Sequence, residues 1–216
     1  SHESGLPTVV TQFSGGYFAG VKQLDRGAWE AIILNLLASD SLRAVGVELL
    51  YRSGMSDQII QELIRLYKSG KVSSVAFSRM GLFTNDDGIQ QGSVEDVLSL
   101  LVDQPDETSV SILAELTDHY YIESKSKKIC QDSLLFRILT SPGFFTKNSD
   151  TMLDYHWGKI AQLFMDQCPE RHLELFSAIL DNMHNLAGLR QLCHPSQIAD
   201  NIAQARPTAA WKIVTS

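Results

Sequence analysis

Apolar residues recur at helical spacing through most of this chain, and the pattern is cleanest between Asp154 and Leu186. There Trp157, Ile160, Leu163 and Phe164 fall on one face of a helix, the stripe of an amphipathic segment with one buried side. Pro169 ends that helix and suits the first turn of the next, where its missing N–H has no helical partner to lose. Glu170 follows in a first turn, where a negative charge meets the positive end of the helix dipole. The stripe resumes with Leu173, Phe176, Ala178, Ile179, Leu180 and Met183. The spacing predicts two helices joined by a tight turn, with Trp157, Ile160, Phe164, Phe176 and Leu180 sharing one buried cluster.

The rest of the chain varies this theme. Trp29, Ile32, Ile33, Leu36 and Leu37 make a wide stripe, and Leu42, Val45, Leu49 and Leu50 make the next, ending at Ser53-Gly54. Ser56 opens a helix carrying Ile59, Ile60, Leu63, Ile64 and Tyr67, closed by Ser69-Gly70. Val72, Val75, Ala76 and Met80 form a shorter segment, read as helix by its neighbours. Residues 84–92, TNDDGIQQG, are a loop and the expected internal boundary. Further helices carry Val94, Val97, Leu98 and Leu101; then Val110, Leu113, Ala114, Thr117, Tyr120 and Tyr121; then Leu134, Leu135, Ile138 and Leu139. Ile198, Ala199 and Ile202 follow the long hairpin, and Pro207 starts a last helix. Residues 1–25, with Gly5, Gly15, Gly16 and Gly20, are the least helical part and are expected to be weakly structured. No stretch alternates with period two, so the expectation is an all-α chain of about ten or eleven helices, at least about 60 % helical, with no sheet of three strands or more.

Charge and cysteine usage narrow the setting. A net charge of −7 argues against a phosphate-binding surface and hence against nucleic acid; only Lys125, Lys127 and Lys128 form a local basic cluster. Cys130, Cys168 and Cys193 are odd in number and widely spaced, as in a reducing compartment, so the expected location is cytoplasmic. The longest apolar run, Ala31–Leu37, is broken by Asn35 and far shorter than the roughly 20 residues a membrane span needs. The Ser-His start and the closing helix around Trp211 give the expectation of a segment from a longer protein.

Serial short amphipathic helices over residues 26–216, with turns such as Gln167-Cys168-Pro169-Glu170, resemble the HEAT-like and armadillo-like α-solenoids. The regular Pro, Asp and Arg positions of well-formed HEAT repeats do not recur at a constant period, which leaves the sub-family open. The resemblance implies antiparallel hairpins stacked into an irregular solenoid, a compact multi-helix bundle being the alternative. It further implies a protein-binding scaffold, because stacked hairpins create an extended concave face.

Candidate chemistry is sparse. Cys168 just before a helix start, with His172 four residues on, has the form of a dipole-activated thiol beside a base; a partly buried turn cysteine gives the same pattern. Cys168, His172, Cys193 and His194 are a poor zinc set, since the adjacent residues Cys193 and His194 diverge on most backbones. Asn85–Gly88 lacks the register of a calcium loop. Asp118-His119-Tyr120-Tyr121 stands out, because exposed tyrosines beside polar groups suit an interface centre. The expected function is a non-catalytic interaction, scaffold or sensing module of a larger protein. It would engage another protein or another domain of its parent through His119, Tyr120 and Tyr121, with Lys125, Lys127 and Lys128 as a rim. No catalytic residue, cofactor, metal, nucleic acid or membrane is expected. The alternative is an all-α enzyme or small-ligand binder using His119, His156 or Cys168.

Overall fold

The computed structural model describes residues 8–83, 89–106, 108–123, 129–145, 151–184 and 193–215. Among these, 83 % are helical and none lies in a strand, so the fold is all-α. The chain forms two compact units, Ser1–Val97 and Leu98–Ser216. They divide inside a helix rather than in the loop at 84–92, whose first five residues lie outside the described residues. The end of that loop belongs to the first unit, where the Gln90 N–H donates to Asp57 Oδ1 at 2.9 Å.

In the first unit, α1 (Thr8–Leu24), α2 (Arg26–Ala38), α3 (Arg43–Ser53) and α4 (Asp57–Lys68) are followed by a 3-10 turn (Ser74–Phe77) and a short α5 (Met80–Phe83). The segment read from sequence as one helix over 72–80 is therefore two shorter pieces. The main packing pairs are α1 with α3, α2 with α3, α1 with α2, and α2 with α4. Trp29, Ile33 and Leu37, one turn apart along α2, are wholly buried. Ile59, Ile60 and Leu63 of α4 are equally enclosed. Asp25 caps α2 by accepting from the Ala28 N–H at 2.9 Å. At the other end of α4 the Lys71 N–H donates to Leu66 O and the Gly70 N–H to Tyr67 O, both at 2.9 Å. This is a Schellman closure, and it needs the left-handed φ of 68° that Gly70 supplies.

The N-terminal expectation is corrected. Residues 8–24 form a 17-residue helix, not a weakly structured arm. Glycine is a poor helix former, but Gly15 is buried, and a Cβ there would lie 2.3 Å from Arg52 Cδ on α3. Its missing side chain lets α1 lie close on α3, and that packing outweighs the propensity cost.

The helix α6 (Gln91–Asp103) enters the second unit, which continues with α7 (Ser109–Thr117), a π-helical turn (Asp118–Ile122), α8 (Asp132–Leu139) and a 3-10 turn (Pro142–Phe145). Then come α9 (Thr151–Gln167), a 3-10 turn (Pro169–Arg171), α10 (His172–His184), α11 (Cys193–Ala205) and α12 (Pro207–Val214). The turn at Pro169 falls where the sequence puts it. Trp157, Ile160, Phe164 and Phe176 are buried, and the Trp157 indole donates to Leu139 O at 3.0 Å. On α10, however, Leu175 is buried and Leu180 only half so. The reason lies in the neighbours: α10 packs chiefly on α11, and also on α12 and the 3-10 turn at Pro142–Phe145, while α9 packs on α7, α8 and α11, so the buried face of α10 is turned to meet α11. The Met183 side chain lies outside the described residues.

Candidate functional site

The polar core of the second unit is built at the π-helical turn. The i→i+5 bond from the Glu123 N–H to Asp118 O, 3.0 Å, widens the helix just after α7, and such turns are frequent at functional sites. Asp118 is completely buried. A carboxylate removed from water must be paired, and α9 supplies both partners. His156 Nδ1 lies 2.7 Å from Asp118 Oδ2, and the Lys159 ammonium lies 2.6 Å from Oδ1 and 2.7 Å from Oδ2. Positions 156 and 159 are one turn apart, so one face of α9 presents both groups to the same carboxylate.

The network continues outward. Lys159 also reaches Glu123 Oε1 at 3.3 Å, and Glu123 Oε2 sits 2.5 Å from His119 Nδ1. Burial pulls the Lys159 pKa down, but its bonds to Asp118 and Glu123 outweigh this and raise it. Glu123 is held below the ordinary glutamate value, mainly by His119, with Lys159 helping and burial opposing. A second carboxylate–histidine pair stands alongside, His194 Nδ1 lying 3.1 Å from Asp154 Oδ2. The half-exposed Tyr155 ring links the two pairs, with centroids 5.7 Å from His156 and 6.5 Å from His194, and the Lys159 ammonium is 5.4 Å from its centre. Gly158 makes this approach of α11 to α9 achievable: a Cβ there would lie 2.6 Å from His194 Cδ2.

The interface expected around residues 119–128 is corrected in its main members. Tyr120 and Tyr121 are 1 % and 4 % exposed and stack edge to face at 4.8 Å; they are core residues, turned inward by the widened helix. His119 is at the surface, tied to Glu123. Lys125, Lys127 and Lys128 lie outside the described residues, as do Asn85–Gly88.

Cys168 and His172, the alternative nucleophile pair, turn to other partners. His172 Nε2 lies 2.8 Å from Met165 O, and the Cys168 thiol is paired with Asp132 instead. Burial, then the Asp132 carboxylate, pushes the thiol up to about 11, opposite to the depression a helix start would give a solvated cysteine. The thiol is therefore protonated and a poor nucleophile at neutral pH. The zinc set read from the sequence is not assembled as such: Cys168 turns to Asp132 and His194 to Asp154, while the Cys193 side chain lies outside the described residues.

In the first unit an open cavity of about 350 Å³ runs along α3, lined by Arg43, Glu48, Tyr51 and Lys71 among others. Its polar groups are largely spoken for: Arg43 donates to Leu37 O at 3.0 Å and Tyr51 to Val75 O at 3.0 Å.

Sequence reasoning singled out the Asp118–Tyr121 stretch but missed His156 and Lys159 as its partners, because the pairs span 38 and 41 positions and leave no local signature. Among the described residues no helix is long and apolar enough to cross a membrane. No protein-family model, curated protein or solved structure matches this chain.

Proposed function

We propose that this chain is a helical-repeat module of the HEAT-like or armadillo-like kind, which binds another protein or another domain of its parent and performs no chemistry by itself. Within each unit the helices pack chiefly on partners one or two places away in the chain: α1 on α3, α2 on α4, α7 on α9, α9 on α11, α10 on α12. Stacked hairpins pack in this manner. The buried charges around Asp118 act in this reading as an internal clamp between the π-helical turn and α9.

The observation that carries the reading is the outer face of α12. Ala210 is buried, yet Trp211 is 68 % and Val214 58 % exposed, one turn apart. An exposed tryptophan beside a second apolar side chain is the usual anchor of a protein interface. The interaction surface thus moves from Tyr120 and Tyr121 to Trp211. Among the described residues Cys130 and Cys168 form no disulfide, in keeping with work in a reducing compartment such as the cytoplasm.

The test places a photo-reactive phenylalanine analogue at position 211 of the parent protein in its own cells, with the exposed Asp200 position as control. One dominant adduct at 211, absent at 200 and lost when Val214→Asp is added, supports the interface. Equal labelling at both positions overturns it.

A further inference from the structure

We propose that Asp132, Cys168 and Glu170 form a binding site for one thiophilic divalent cation, zinc being the natural member of that class. One carboxylate oxygen from each acid and the Cys168 sulfur lie within 4.8 Å of one another. The frame beneath them is rigid. Asp132 is the first residue of α8, the Cys168 N–H donates to Phe164 O at 2.8 Å, and the Arg171 N–H donates to Cys168 O at 3.0 Å. Donors on a single tetrahedral zinc, with bonds of about 2.0–2.3 Å, stand roughly 3.3–3.8 Å apart. Asp132 and Glu170 are both exposed, so closing that gap asks for rotation about their side-chain bonds.

The chemistry of the set suits such an ion. The sulfur is wholly buried while both acids face solvent, so an ion enters from the acid side and meets the thiol last. The nearby cation, Arg171, is directed elsewhere: it pairs with Glu174 at 2.8 Å and lies over the rings of Phe136 and Phe164 at 4.8 and 5.5 Å. Two carboxylates therefore converge on the buried thiol, and a divalent ion would balance their charge. Binding replaces the S–H bond with a sulfur–metal bond and releases one proton to solvent. Three protein donors leave the fourth tetrahedral position to water.

The test uses the whole chain, freed of metal with a chelator and titrated with Cd²⁺ and Zn²⁺. The expected result is one equivalent bound, with a sulfur-to-cadmium charge-transfer absorption and release of about one proton per ion. Cys168→Ser should lose the absorption, while Cys130→Ser and Cys193→Ser keep it. Asp132→Asn and Glu170→Gln, at exposed positions that leave the fold intact, should each weaken binding at least about tenfold, the lower end of what even outer-shell losses cost. Should Cys168→Ser fail to fold, these two variants decide the matter. No stoichiometric uptake, an absorption that survives in Cys168→Ser, or unchanged affinity in both carboxylate variants would overturn the site.

Discussion

Asp118→Asn should be among the most damaging single-atom-scale changes available in the second unit. It removes a charge from a fully buried position and leaves the Lys159 ammonium and His156 facing a neutral amide. Breaking one side of a buried ion pair costs about 3–5 kcal/mol, mostly because the other charge is left uncompensated. Lys159 is 23 % exposed and keeps Glu123 at 3.3 Å, so the stranded ammonium retains a path to water and the lower figure applies, about 3 kcal/mol. At a few degrees per kcal/mol for a unit of this size, the melting temperature should fall by roughly 10–15 °C. Calorimetry or denaturant titration measures this directly. The double variant with Lys159→Met sharpens it: with both charges gone no ammonium is left stranded, so the two costs should fall short of additivity by about 1–3 kcal/mol. A single variant that melts within about 2 °C of the parent, or a strictly additive cycle, would falsify the clamp.

Three further outcomes are expected. Gly158→Ala should destabilise by about 1–3 kcal/mol, because the new methyl meets the His194 ring at 2.6 Å and must separate α11 from α9; thermal melts check it. Trp211→Phe should remove the long-wavelength part of the tryptophan emission while changing stability by no more than about 0.5 kcal/mol, since Trp29 and Trp157 are buried and Trp211 is not. Glu123 has a folded pKa below its ordinary 4.5, so its contribution to stability is present above that value and is lost as pH falls through the depressed one. The stability difference between the parent and Glu123→Gln should accordingly shrink below about pH 4.5, as read by urea titration across the acid range.

Helices with one-sided stripes were legible because period and burial agree. Trp29, Ile33 and Leu37 repeat every four residues, and all three are enclosed. Turn chemistry was legible for the same reason, as at Gly70 and Pro207, where one residue type answers one local backbone need. What escaped depends on contacts distant in sequence. Composition made α1 look weak, and only Arg52 on α3 explains why glycine belongs at position 15. Leu175 rather than Leu180 is buried because α11 also covers α10, which no stripe on α10 alone can reveal. The π-helical turn has no period of its own over five residues, so Tyr120 and Tyr121 read as exposed interface residues when both are buried. Cys168 is the sharpest case. Its local position predicts an acidic thiol, and the Asp132 carboxylate delivered from α8 gives the reverse.

That reversal has a thermodynamic signature of its own. The Cys168 pKa rises from 9.0 in the unfolded reference to about 11 in the fold, through burial first and Asp132 second. Between those values the folded chain holds a proton that the unfolded chain releases, so the unfolded state is increasingly favoured as pH rises. The parent should therefore be fully stable below about pH 9 with respect to this group and should lose stability steadily up to about pH 11, by as much as roughly 2–3 kcal/mol at 1.36 kcal/mol per unit. Lys159 titrates from the upper edge of the same window, its pKa raised above 10.5 by Asp118 and Glu123 against the pull of burial. Cys168→Ala separates the two, because it removes the thiol and leaves the ammonium. Denaturant titrations every half unit from pH 8 to 11, with chelator present, should show a steep decline for the parent and a flatter one for the variant. The gap between the curves should narrow as pH rises, since the parent alone carries the penalty of a buried thiolate. Parallel curves would mean that the Cys168 thiol ionises as freely in the fold as in the open chain, and the pairing with Asp132 would have to be abandoned.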